Sequence, residues 1–281
     1  MAMKRILILS ASLLLLCNVG ISQKMKIRSE KPEDHMVSMM SFNIRHGCGM
    51  DRQVDLGRIA AEIALVGADV VALQEVDKGT KRIGGVDSPE EIAKLAGGYV
   101  ASFASAIDLG GGKYGNAILS KKAPISVESV PLPGKEEPRV MLVAEFEDYY
   151  FCSLHLSLDR DSRVEACRKI ARYARSKSND KPFFIAGDFN LVPNSMEMSV
   201  LAEDFAVLSA FEVKTFPSDN PDRTLDYIMV YRGGAGKKLL RKLEKGSMGV
   251  ASWVQPEKVA SDHRPIFTLI FKGENCVTEK F

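Results

Sequence analysis

Eight segments of this chain are so densely apolar that sheets built from them must be covered on both faces. They are MVSMMSFNI (36–44), DVVALQEV (69–76), NAILS (116–120), RVMLVAEF (139–146), YYFCSLHLS (149–157), PFFIAGDFN (182–190), TLDYIMV (224–230) and PIFTLIF (265–271). A strand with one wet face alternates apolar and polar residues, because successive side chains point to opposite sides. Several of these runs do not alternate. Helical periodicity falls between some of them. In 54–67, Leu56, Ile59, Ala60 and Ile63 share one face; in 161–178, Val164, Cys167, Ile170, Ala171 and Ala174 do. Ser88 reads as the cap of a short helix, with Pro89 at its first position, Glu91 closing a capping box and Gly97-Gly98 as the stop. Asn194 with Glu197 reads as the start of another helix, ending near Glu203. Strands far outnumber helices, and strict βαβ alternation fails in the middle of the chain. The pattern predicts an α+β sandwich of two sheets with outer helices rather than a doubly wound fold.

The first 22 of the 281 residues stand apart. Lys4 and Arg5 precede an apolar run from Ile6 to Cys17, and Gly20-Ile21-Ser22 places small residues at a cleavage site. This is the order of a secretory signal peptide, too short for a membrane span, so the mature chain is expected to begin near Gln23 in the periplasm or outside the cell, without a transmembrane segment. Leu16 before Cys17 fits a lipoprotein acylation site poorly. Residues 23–35 form a leading segment, 36–272 a single domain and 273–281 a tail; no linker divides the domain, and a monomer is expected. The signal segment holds two of the 38 Lys and Arg and none of the 36 Asp and Glu, so the mature chain is formally neutral. That removes the usual electrostatic signature of a nucleic-acid binder. Cys48, Cys152, Cys167 and Cys276 are spaced too irregularly for a disulfide framework or a zinc site, and Cys152 and Cys167 read as buried apolar residues.

Nearly every core-like strand ends in a residue able to hold metal or phosphate. Asn43 closes the first run, followed by Arg45 and His46; Gln74-Glu75 close the second; His155 closes the fifth; Asp188 and Asn190 close the sixth and point the same way, because strand side chains alternate. Asp226 stands near the start of the seventh, and Asp262-His263 introduce the last. Each has an ordinary explanation, Asp188 for instance as an Asx-turn former. Six such ends together do not, because carboxylates beside apolar strands are costly unless paired or metal-bound. Phosphoester hydrolysis would use them all. A hard cation, Mg²⁺ or Mn²⁺, takes oxygen ligands, which Glu75, Asn43 and Asp262 offer. Asp188 is placed to activate a water, and Asn190, His155 and His263 to offset charge developing on phosphorus.

SFNIRHG, ALQEVD, YGNAILSK, EEPRVMLVAEF, CSLHLS, IAGDFNLVPNS, TLDYIMV and SDHRPI resemble, in order, the motifs of the endonuclease/exonuclease/phosphatase superfamily, closest to its bacterial metal-dependent hydrolase branch. The resemblance spans roughly residues 36 to 272. It implies a four-layer αββα sandwich, two mixed sheets packed face to face, with the site at one edge. It also implies roles: Glu75 as main metal ligand with Asn43 and Asp262, Asp188 at the attacking water, Asn190 on the phosphate, Asp226 paired with His263, and His155 as second histidine. Asn116 and Arg139 match positions that approach the scissile phosphate. Arg45 and His46 match the branch without an assigned role, and Arg264 is expected to turn to solvent or a surface acid. Members cleave nucleic acids, inositol phosphates, sphingomyelin and other phosphoesters, so the resemblance leaves the substrate open. Neutral charge and a single Trp favour a small or lipid-derived phosphoester, with a secreted nuclease as the alternative. Lys78, Lys81 and Arg82 in the 77–88 loop are candidates for an anionic head group.

Overall fold

The apolar runs become the inner strands of two six-stranded mixed sheets in the computed structural model, which describes residues 35–272. The signal segment and the tail lie outside the described residues. In chain order the strands are β1 (His35–Asn43), β2 (Val70–Lys78), β3 (Val100–Leu109), β4 (Gly112–Ser120), β5 (Ser126–Leu132) and β6 (Arg139–Glu145). There follow β7 (Tyr150–His155), β8 (Phe183–Asp188), β9 (Phe205–Val207), β10 (Asp226–Tyr231), β11 (Met248–Val254) and β12 (Ile266–Lys272). One sheet has the order β11-β12-β1-β2-β4-β3 and the other β5-β6-β7-β8-β10-β9. The helices are α1 (Leu56–Val66), α2 (Ser88–Leu95), α3 (Arg160–Lys177), α4 (Met196–Asp204) and α5 (Gly234–Glu244). None among the described residues is long and apolar enough to cross a membrane.

Three apolar layers explain the unbroken runs. Neighbouring residues of one strand serve different layers: Met39, Val70 and Ala72 pack between the sheets with Leu142, Phe184 and Ile228, while Met40, Val71 and Leu73 pack outward on Ile59 and Ile63 of α1 and Ile92 of α2. The far face of the second sheet takes Cys167, Ile170 and Ala174 of α3 and Leu201 of α4. Cys152 and Cys167 are buried and unpaired. The result is the expected α+β four-layer sandwich. Four strands, β3, β5, β9 and β11, and helix α5 had no sequence prediction, and β4 begins four residues before the run that announced it.

Two caps differ from expectation by one residue. Asp87 precedes α2, while the Ser88 hydroxyl donates to the Asp77 carbonyl. Ser195, not Asn194, caps α4 by accepting the Met198 N–H; Glu197 is instead buried and accepts from Arg163 at 2.7 Å. A buried polar bridge also joins the sheets beside Leu73. The Gln74 amide donates to Ser153 Oγ at 3.1 Å, and that hydroxyl donates to the Leu73 carbonyl at 2.9 Å.

Candidate active site

Strand direction alone gathers the polar ends at one edge of the sandwich. β1 and β2 are parallel, which sets Asn43 beside Gln74. β7 and β8 are parallel, which sets His155 beside Asp188, and antiparallel β10 starts with Asp226 opposite Asp188. The 261–265 segment runs into β12 where Ile266 pairs Ser41 of β1. Gln74 is the exception, because its side chain serves the bridge between the sheets. Gly187 permits the β7–β8 contact: a Cβ there would sit 1.9 Å from the Leu154 carbonyl oxygen.

Asp188 is the hub. Its Oδ1 accepts the Asn190 N–H at 2.9 Å. Its Oδ2 accepts from Asn43 Nδ2 at 3.1 Å and lies 3.5 Å from Nε2 of both His155 and His263. The two imidazoles differ in charge. Burial pushes His155 down to about 4, outweighing Asp188, so it is neutral. For His263 burial also opposes the charge, but Asp226 and Asp188 prevail and push it up to about 10. Its Nδ1 lies 3.0 Å from Asp226 Oδ2, both groups being buried. One carboxylate thus faces a neutral and a charged ring, an arrangement that separates acid from acceptor. Ligand-capable atoms of Asp188, Asp226 and His263 lie within 4.8 Å of one another. A protonated imidazole has no lone pair to give, so this trio is not the better cation nest.

Oxygen donors fit better. Burial, with help from Asp262 and Asp188, pushes the Glu75 carboxyl up, and the Asn43 amide that donates to it at 3.0 Å only partly compensates. Asn43 Oδ1 accepts the Arg45 N–H at 3.1 Å, and Asp262, half-buried, lies 3.5 Å from Arg45 Nε. A half-buried carboxylate short of countercharge, with an amide oxygen and a second carboxylate near, is a donor set suited to Mg²⁺ or Mn²⁺. The backbone supports the same location. Of the five non-glycine residues with left-handed φ among the described residues, Arg45 (45°), His46 (47°), Glu75 (56°) and Asn190 (51°) lie here. Such residues cost of order 1–3 kcal/mol each and persist where surroundings enforce them.

Other expected residues are placed differently from their simplest reading. Asn190 lies past the end of β8, so its orientation comes from the turn on Asp188 rather than strand alternation; its amide donates to the Leu156 carbonyl at 2.9 Å. Asn116 is buried and donates to the Val140 carbonyl at 2.7 Å. Arg139 is buried between Glu136 (2.7 Å) and Glu137 (3.0 Å), while its Nε has no partner. Glu136 also accepts from Ser157 Oγ and the Leu158 N–H; burial opposes its charge, but these bonds hold it down at about 2. Arg264 is half-buried and meets no acid: its Nε donates to the Ser218 carbonyl at 2.7 Å, tying down the loop that lays Phe216 on the His263 ring. In the 77–88 loop, Arg82 forks onto Asp77 and Lys78 meets Asp87 at 2.8 Å, so two of its three candidate cations are already paired. The Glu136–Arg139 clamp was missed in the sequence, although Glu-Glu-Pro-Arg at a strand start was its only signal.

The model of the endonuclease/exonuclease/phosphatase family matches residues 40–263. No curated protein matches. Among solved structures, an endonuclease/exonuclease/phosphatase from Beutenbergia cavernae is 22% identical with a TM-score of 0.65, over 86% of this chain and 73% of that one. A mannosyl-6-phosphatase from Bacteroides thetaiotaomicron is 16% identical with a TM-score of 0.62, over 84% and 99%. D. rerio TDP2 complexed with a single-strand DNA product is 18% identical with a TM-score of 0.62, over 83% and 98%. At these identities the likenesses establish the fold, and the family model covers most of the strand ends described above. The chain belongs to the endonuclease/exonuclease/phosphatase family, whose members are divalent-metal-dependent phosphoric ester hydrolases.

Proposed function

We propose that this protein is an exported, Mg²⁺- or Mn²⁺-dependent hydrolase of small phosphoesters. The observation that carries the reading is the convergence of Asn43, His155 and His263 on one buried carboxylate, Asp188, with His263 held from behind by Asp226. Glu75, Asn43 and Asp262 would hold the cation, which supplies Lewis-acid polarisation of the phosphoryl group when bound. Asp188 Oδ2 accepts the proton of the attacking water. The His263 imidazolium presents Nε2 to the phosphoryl oxygens, where negative charge grows in the transition state. Asn190 keeps the Asp188 carboxylate from rotating by holding Oδ1. The unpartnered Nε of buried Arg139 is a further donor for phosphate, while Asn116 fixes the β4 side of the site through Val140.

Two cations around the site are already spent on acids: Arg45 on Asp262 and Arg82 on Asp77. That supports a small substrate over a long polyanion, which needs several free cations along its backbone. The test is a panel of phosphomonoesters, phosphodiesters, phospholipids and nucleic acids assayed with each ion. Activity on a small ester should change little between about 50 and 200 mM salt, whereas a nuclease would lose orders of magnitude in affinity. Plasmid or RNA degradation with a steep salt slope would overturn the small-substrate reading. N-terminal sequencing of the secreted protein tests export, which predicts a start near Gln23 and is refuted by an intact Met1.

A further inference from the structure

Helix α5 carries a charge pattern that neither the fold nor the catalytic edge explains. Lys237, Lys238, Arg241, Lys242 and Lys245 follow one another at helical spacing on α5 and at its C-cap, against one acid, Glu244. All five are exposed, and none makes an ion pair with a described residue. Elsewhere cations are commonly paired, as Arg58, Lys113 and Lys181 are. Basic residues in the last turn suit the helix dipole, but Lys237 and Lys238 stand in the middle of α5, where the dipole gives a cation no advantage. Helix stability therefore does not account for the stripe.

The opposite side of α5 is committed to the fold. Leu239 is buried in the layer between the sheets, and Leu240 and Leu243 pack against it. The helix closes the edge of the sandwich remote from the catalytic one. β10 leaves the site at Asp226 and runs six residues, ~20 Å, before the turn into α5. β11 then starts at Met248 beside Lys272, and the neighbouring Phe271 pairs His35, the first residue of β1. The chain therefore enters and leaves the described fold on the α5 edge.

We propose that the basic face of α5 docks the protein on an anionic phospholipid bilayer, with the catalytic edge turned away toward soluble substrate. Charge complementarity names the partner: clusters of four or more cations on an amphipathic helix recognise anionic head groups. The apolar face of α5 is already used, so the helix adsorbs without inserting and attraction is electrostatic throughout. Nucleic acid fits less well, because the stripe lies across the molecule from the hydrolytic site.

The test is co-sedimentation of the purified protein with phosphatidylcholine vesicles, with and without phosphatidylglycerol. Binding should require phosphatidylglycerol and vanish between about 0.1 and 0.5 M salt as the Debye length shrinks. K237Q/K238Q/R241Q/K242Q should bind such vesicles at least 100-fold more weakly, since each cation is worth about five-fold, or ~1 kcal/mol. The variant should keep its melting temperature and its rate on a soluble phosphoester; if it does not fold, K237Q/K238Q alone gives the same comparison at about 25-fold. Equal binding to both vesicle types, or equal binding by wild type and variant, overturns the proposal. So does helix-dependent binding to a DNA duplex without preference for phosphatidylglycerol, which would assign the stripe to nucleic acid.

Discussion

Asp226→Asn removes one charge and almost no volume, so it isolates what the Asp226–His263 pair contributes. The Nδ1–Oδ2 distance is 3.0 Å and both groups are buried. Unit charges about 4 Å apart interact by ~4 kcal/mol at the effective dielectric that suits protein sites, which is about a thousandfold in protonation. Losing that attraction brings the ring from about 10 toward neutrality. Asn can still accept the Nδ1–H, so the fold should survive. A steady-state assay should show kcat lowered by about 10²–10⁴ at alkaline pH, the range for losing a positioned acid–base partner. The deficit should narrow as pH falls and solvent restores the imidazolium. His263→Ala should cost at least as much, and the double variant little more than His263→Ala alone, because the two residues act as one unit. If the two losses multiply independently, or the Asp226→Asn deficit is the same at every pH, Asp226 does not act through His263.

Three further outcomes follow from other parts of the structure. Glu75→Gln should abolish the rise in melting temperature on adding Mn²⁺ while leaving the metal-free protein no less stable, because burial disfavours the carboxylate it removes; a metal-dependent shift equal to wild type refutes Glu75 as a ligand. Glu136 is held below its unfolded value, so its contribution is present above pH 4.5 and lost as pH falls toward about 2. Urea midpoints of wild type and Glu136→Gln should therefore converge over that acid window, and a gap that stays constant contradicts the assignment. Gly187→Ala must displace the Leu154 carbonyl and should destabilise by at least about 1–3 kcal/mol in urea unfolding, the range for overpacking; an unchanged midpoint would show that β7 and β8 are not so close.

The inner strands were legible because both their faces are dry, and a run such as Val70–Leu73 has no other stable home. The missed strands lack that property. β5 is mostly exposed along its length, β11 holds Gly249 and Ser252 among half-buried neighbours, and both lie at sheet edges. Helix α5 begins at Gly233-Gly234 with no side-chain cap, so nothing in the usual start signals announces it. The caps of α2 and α4 slipped by one because cap-competent residues stand next to each other in Asp87-Ser88 and Asn194-Ser195. At the site, residue types revealed themselves through polar groups at the ends of apolar strands. Of the partnerships, Asp226 with His263 was implied by the resemblance, whereas Arg139 with Glu136 depends on a loop path, and the use of Arg45 and His46 in a left-handed turn leaves no compositional mark.

The Gln74–Ser153–Leu73 bridge has a consequence for how the enzyme tolerates change. Glu75 and Asn43 belong to one sheet, Asp188, His155 and Asp226 to the other, and the bridge sits one residue from Glu75. Hydrolysis thus measures alignment between two layers that share no backbone hydrogen-bond ladder. Substitutions in the dry seam beneath the site, at Ala72, Leu142 or Ala186, can spoil turnover while the protein still melts cooperatively. Equal changes under α1 or α3 act on one layer alone. Mutational tolerance should therefore be banded by depth: strict in the middle seam, permissive in the two outer ones, whatever the distance to the phosphate.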